Sequence, residues 1–261
     1  MASTPPKSPV AEEETELLQK LANLTFQPDS PPVQVPITAA DAEMWKDFLE
    51  YRKNRKEWDA WRENDWKQHH PPHIHELFNN WPTLKTPRLR LRPLQPSDAE
   101  EAFRVLSNTT AMKYYGTPPH INLEFTQKQF IDITLSRFKH RDAVSFVVTL
   151  KDEDKYIGHI SAMQFDRVFK FAELAYIIDE EYWGQGIATE AVTKVVDFLV
   201  NTMKIHKIRA GFFANNIASK KVLQKAGFKQ EGYLRDNALL DGEFEDEYVM
   251  AFLASDKDIN E

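Results

Sequence analysis

The sequence predicts an α/β (α+β) fold: one mixed, mostly antiparallel sheet with helices on both faces, behind an N-terminal helical extension. Three observations carry this. Residues 143–150, 156–165 and 169–178 are three strand signals in succession, separated by short polar stretches (151–155 and 166–167), so antiparallel pairing is natural. The stretch Tyr182-Trp183-Gly184-Gln185-Gly186-Ile187-Ala188-Thr189-Glu190 then converts an apolar strand into a helix. That helix repeats Ala188, Ala191, Val192, Val195, Val196, Leu199 and Val200 at helical spacing. Last, residues 229–235 and 244–253 flank Asp241-Gly242, a hairpin signal.

In chain order, residues 1–37 read as a tail. It opens proline-rich and acidic, allows a short helix through Leu17, Leu18, Leu21 and Leu24, and ends in a run with Pro28, Pro31, Pro32 and Pro36. Residues 38–83 form a Trp-rich helical extension and linker. Four of the six tryptophans (Trp45, Trp58, Trp61, Trp66) lie here at near-helical spacing, with Arg52, Arg55 and Arg62 between them. Two readings stand: an amphipathic helix packed on the following domain, or a recognition helix stacking on a partner. His69-His70-Pro71-Pro72-His73-Ile74-His75 invites a metal, but two prolines and the lack of cysteine favour a solvated linker, and no metal is expected.

Residues 84–255 hold the main domain. Residues 86–94 alternate apolar and basic side chains, as in a half-buried strand. Ser97-Asp98 starts a helix carrying Ala99, Phe103 and Leu106; a second, over 126–138, carries Phe130, Ile133, Thr134 and Arg137. Between them runs the loop Tyr114-Tyr115-Gly116-Thr117-Pro118-Pro119-His120. After the glycine loop and its helix, residues 205–213 read as a strand, and a short helix follows from Asn216 to a glycine stop at Gly227.

Composition narrows the function classes. The chain has 261 residues, an apolar share of 42%, no cysteine and a net charge of −7. There is thus no disulfide, thiolate metal site or cysteine nucleophile. No apolar run approaches a membrane span, and the N-terminus lacks a secretory pattern. Negative charge disfavours nucleic acid and leans toward amine-bearing partners. The reading is a cytoplasmic monomer or homodimer, the nucleus remaining open, with no membrane or nucleic-acid partner.

Gly184 and Gly186 permit a sharp turn and close backbone approach, and the helix they open presents unpaired N–H groups with positive dipole. Such a loop suits a phosphate or pyrophosphate; it also serves as a tight turn with no ligand. It lacks the Gly-Lys-Ser/Thr of a P-loop. A dinucleotide fingerprint fails too, since Thr189 stands where Gly or Ala belongs and residues 205–210 supply Lys and Arg instead of an acid.

Trp183-x-x-Gly186-x-Ala188, followed by Asn216-x-x-Ser219 and Gly227-Phe228, resembles the Gcn5-related N-acetyltransferase (GNAT) superfamily, and within it the ribosomal-protein alanine acetyltransferase branch. Trp183 stands where the wider family has Arg or Gln. The resemblance spans roughly residues 87–253 and implies the acetyltransferase fold, with acetyl-CoA as cosubstrate and an amine acceptor. It implies cofactor contacts at Trp183, Gly184, Gln185, Gly186, Ile187, Ala188 and Thr189. Asn216 and Ser219 would meet pantetheine and sulfur, and Ile177 and Ile178 would offer splayed strand backbone. Glu173 stands ten residues before Trp183, as the base glutamate does in the histone acetyltransferases of the superfamily; an outward-facing strand carboxylate is the alternative. Leu223 occupies the position where many members carry a tyrosine. For Ser219 and Asn216 the alternatives are helix-start roles. A different class also stands: a catalytically weak acyl-CoA-binding module that docks on a partner through the N-terminal Trp/Arg helix. The hairpin carboxylates Asp236, Asp241, Glu243, Glu245, Asp246 and Glu247 either attract a cationic acceptor or form a solvated edge.

Overall fold

The computed structural model describes residues 72–166, 170–240 and 242–259. These all fall in one of the chain's two compact units, Asp59–Glu261. The tail, the tryptophan-rich segment 38–67 and His69-His70 lie outside the described residues.

Among the described residues, eight strands form one sheet in the order β1-β2-β3-β4-β5-β6-β8-β7. They are β1 (Leu84–Lys85), β2 (Leu89–Pro93), β3 (Ala143–Leu150), β4 (Gly158–Asp166), β5 (Phe171–Ile178), β6 (Lys207–Phe213), β7 (Lys229–Leu240) and β8 (Glu243–Leu253). Every neighbouring pair is antiparallel except β5 and β6. The closing hairpin returns its second strand inward, so β8 lies on β6 and β7 becomes the edge.

Helices cover both faces, as expected. One face packs α1 (Pro72–Asn79), α6 (Ile187–Asn201) and α7 (Ile217–Lys225), with Val192, Val195, Leu199 and Leu223 fully buried. The other packs α2 (Ala99–Leu106), α3 (Thr109–Met112) and the segment from α4 (Leu123–Thr126) through a π-helical stretch (Gln127–Asp132) to α5 (Ile133–Lys139). The alternation of β5 divides its side chains between these faces. Leu174 and Ile178 join the α6 core, whereas Ile177 joins the α2 core.

Three local expectations are corrected. The solvated linker expected at residues 69–75 is helical from Pro72 onward, because proline is well suited to a first helical turn, where no N–H is required. Ile74 and Phe78 of α1 enter the core, and Trp81 packs beside Phe78, Phe138, Phe146 and Phe198. The second helix begins earlier, at Leu123, capped by Asn122. Its π turn then shifts the register, so Ile131 is buried and Ile133 is exposed. Finally, Arg92 does not follow the outward basic pattern of β2. It is buried, with both terminal nitrogens on the Asp98 carboxylate at 2.9 and 2.6 Å.

A buried tyrosine–histidine–tyrosine chain fixes the loop after α3. His159 on β4 is fully buried, with Nε2 2.7 Å from the Tyr115 hydroxyl and Nδ1 2.5 Å from that of Tyr156. Burial, with a smaller repulsion from His120, pushes the imidazole down to about 3. The folded state therefore binds fewer protons than the unfolded chain. Stability is full above pH 6.5 and is lost as pH falls from 6.5 toward 3, at about 1.4 kcal/mol per unit. Denaturant titrations at pH 7, 6, 5 and 4 should show this slope, eased in His159→Gln; equal slopes would place the acid sensitivity elsewhere.

Candidate active site

The glycine loop is held from both sides while its amides stay free. Asp179 caps a single 3-10 turn (Glu180–Tyr182), the Trp183 indole Nε1 donates to the Ile178 carbonyl at 2.6 Å, and Gln185 Nε2 donates to the Glu181 carbonyl at 2.9 Å. Gly184 and Gly186 have φ of 72° and 78°, the left-handed region that glycine adopts without penalty. α6 starts directly after Gly186 with no side-chain cap. Among the described residues, the N–H groups of residues 184–189 have no acceptor. Ile187 is buried and contributes only backbone here, while Ala188 and Thr189 remain half-buried. Six consecutive free amides at a positive helix end make a cradle for an anion such as a pyrophosphate.

A cation stands beside this cradle that the sequence pattern did not disclose. Arg88 Nη1 donates to the Gln185 carbonyl at 2.8 Å, and its Nε pairs with Glu190 in the first turn of α6 at 2.6 Å. Thr86 also donates to Glu190, at 2.5 Å. Burial raises the Glu190 carboxyl, but the bonds from Thr86 and Arg88 outweigh it and hold the group below its ordinary value. Glu190 therefore ties the β1–β2 turn to the start of α6.

The loop closes a V-shaped gap. β5 and β6 pair in parallel only at Phe171↔Lys207, Ala172↔Ile208 and Glu173↔Arg209. Beyond that point β6 continues against β8, and β5 against β4, so the facing edges of the two strands are left without each other. Ile177 and Ile178 lie along this opening. The Ile178 carbonyl is already taken by Trp183, which leaves the stretch before it as the available edge. Gly158 lets β4 approach here: a Cβ on it would stand 2.2 Å from the Ile177 carbonyl oxygen.

α7 faces the gap with its first turn. Asn216 acts as its N-cap, accepting from the Ser219 amide at 3.1 Å, so the helix-start role belongs to Asn216. The Ser219 hydroxyl instead lies 2.7 Å from the hydroxyl of Tyr176 on β5. Burial pushes the Tyr176 phenol up to about 12, partly opposed by Ser219, so it stays protonated at neutral pH. Leu223 is fully buried in the core.

Glu173 closes the vertex. Its carboxylate is paired with Arg209 on β6, whose guanidinium also lies over the Phe171 ring. It faces the α2 side of the sheet, together with Ile177, and Tyr114 of the loop after α3 reaches the same face beside Phe213. Among the described residues there is no group of three or more potential metal ligands, and no helix long and apolar enough to cross a membrane.

The sequence profile of the acetyltransferase (GNAT) domain matches residues 88–229. The chain is a member of the GNAT acetyltransferase family. A Bacillus subtilis (strain 168) protein named as a probable N-acetyltransferase is 33% identical over 184 residues, covering 66% of this chain and 98% of that one. The Escherichia coli (strain K12) ribosomal protein uS5-alanine N-acetyltransferase is 32% identical over 121 residues, 45% of this chain and 62% of the relative. Among solved structures, a Vibrio fischeri ribosomal-protein-S5-alanine acetyltransferase shares 26% identity with a TM-score of 0.60, across 67% of this chain and 98% of that one. As a GNAT enzyme the chain is an acyl-CoA-dependent N-acetyltransferase, with relatives in the ribosomal-protein branch. Among the catalytic and cofactor-binding positions expected from sequence, those along β5, the glycine loop and α7 gather around one gap; Arg88, Glu190 and Tyr176 join them through tertiary contacts alone.

Proposed function

We propose that this acetyltransferase moves an acetyl group from acetyl-CoA to a primary amine, a protein N-terminus or a small-molecule amine, by direct transfer in a ternary complex. The observation that carries this reading is the parallel β5–β6 pair, open beyond Glu173↔Arg209, with the free-amide loop at its open end. The backbone of residues 184–189 would hold the pyrophosphate, with Arg88 as a nearby positive charge. The free edge of β5 up to Ile177 would pair with pantetheine amides. No cysteine is present to form an acyl-enzyme, so the amine attacks the thioester directly. With the Tyr176 hydroxyl turned to donate across their 2.7 Å contact, the Ser219 hydroxyl would point its own proton at the departing sulfur. Glu173 would take the proton of the amine, for which Arg209 must yield one carboxylate oxygen. The enzyme would work in the cytoplasm as a monomer or homodimer.

The test is thiol release from acetyl-CoA over a panel of peptides, polyamines and amino acids. Glu173→Gln should lower turnover at neutral pH by roughly 100-fold, within the range for general bases, while coenzyme A affinity holds. The loss should ease at high pH, where more of the amine is already neutral. Unchanged turnover would assign deprotonation to another group. Tight coenzyme A binding without thiol release for any amine would favour the acyl-CoA-binding module instead.

A further inference from the structure

Across β6 from Glu173 lies a second carboxylate on the same face of the sheet. In the β6–β8 ladder Glu247 is paired with Phe213, and directly paired residues project to the same side. That side also carries Gly211, Arg209 and, through the parallel pair, Glu173. It is the side reached by Tyr114 of the loop after α3, whose ring lies 6.3 Å from that of Phe213. The Glu247 carboxylate leans back along β6 until it stands over Gly211. A Cβ on Gly211 would lie 2.0 Å from Glu247 Oε1 and 3.1 Å from Cδ, so this placement exists only because residue 211 has no side chain.

The two carboxylates differ in what they already hold. Glu173 is neutralised by Arg209. Glu247 Oε2 accepts from the neutral Asn237 amide at 2.6 Å, and among the described residues Oε1 has no hydrogen-bond donor. A half-buried carboxylate with one oxygen fixed and the other unpaired has spare capacity for a charged donor. Its position flanks the opened stretch of β6 on the face opposite α6 and α7, from which an acceptor can approach the gap.

We propose that Glu247 is the acceptor-binding carboxylate: its Oε1, over Gly211, receives an N–H of the incoming protonated amine and seats it at the mouth of the gap. The inference rests on the acetyltransferase reading above. It assigns the acceptor a cationic nitrogen at the reacting end and gives Gly211 a role in specificity.

Two substitutions reach this contact by different routes. Glu247→Gln removes the charge and keeps the shape. Gly211→Ala leaves the carboxylate present and drives it out of place; the obstructing atoms are the far end of a flexible side chain, so the strand itself need not move. Steady-state kinetics with spermidine and with an N-terminal-alanine peptide as probe amines are the readout. For the amine that the parent uses better, each variant should lose about 30-fold in kcat/KM, mostly through KM. Coenzyme A affinity and melting temperature should stay near parental. The double variant should be no worse than the poorer single one, since both remove one contact. Parental kcat/KM in either variant, or additive losses, would overturn the assignment. A parent that releases thiol with neither amine would overturn the acetyltransferase reading as stated and this inference with it.

Discussion

Gly186→Val is expected to raise the dissociation constant for coenzyme A roughly 100-fold or more, ~2.7 kcal/mol, in a protein that still folds. Gly186 has a φ of 78°, a region that costs an L-residue about 1–2 kcal/mol and a β-branched one more. The strained loop would relax by rotating its peptide groups, and with them the amides that form the cradle. Packing gives little reason for collapse, because a Cβ on Gly186 meets only Arg88 Nη2, at an ordinary 3.5 Å. Calorimetric titration with coenzyme A measures the effect, and a circular dichroism melt confirms folding. Parent-like affinity in a folded variant would move the pyrophosphate site away from this loop.

The second large effect concerns stability. Arg92 and Asp98 form a buried two-pronged ion pair; Asp98 also accepts from the Gln95 amide at 2.7 Å, and Asp154 reaches Arg92 Nε at 2.7 Å. Removing Asp98 leaves the buried Arg92 with only its Nε contact to the exposed Asp154; breaking a buried pair typically costs about 3–5 kcal/mol, of which Asp154 recovers a part. Asp98→Asn should therefore unfold at far lower denaturant than the parent. Arg92→Leu with Asp98→Leu should be closer to parental, since neither charge is stranded. If the double substitution is as damaging as the two singles summed, the pair contributes through its hydrogen-bond geometry and not through charge balance.

Strands with a clean local pattern were legible from sequence. The expected strand Ala143–Leu150 has its observed bounds, because a largely apolar, β-branched run, broken only by Ser145 and Thr149, stands between polar ends. The helix after Gly186 was equally plain. The π turn was not: one extra residue in a helical turn leaves no compositional trace, yet it decides between Ile131 and Ile133. The glycine loop and Asn216-x-x-Ser219 were visible as motifs. Arg88 sits 97 residues before Gln185, and Tyr176 is 43 residues from Ser219. Side chains that meet only through sheet register give no local signal. The same holds for Glu173, whose Arg209 partner is fixed by the parallel pairing. Glu247 was visible only as one acid in a charged hairpin; the ladder that sets it over Gly211 distinguishes it from its neighbours.

The packing of α1 bears on where this domain can be cut. The family profile matches residues 88–229, and a fragment trimmed to those bounds would look complete on paper. It would lack Ile74, Phe78 and Trp81, so the rings of Phe138, Phe146 and Phe198 would face water. It would also lack Thr86, one of the braces on Glu190, and it would strip β8 from the exposed side of β6. An uncovered aromatic patch beside an unpaired strand edge is a recipe for aggregation. A soluble piece of this enzyme should begin ahead of Pro72 and run past Leu253, and insolubility of a shorter one would say nothing about the chemistry of its site.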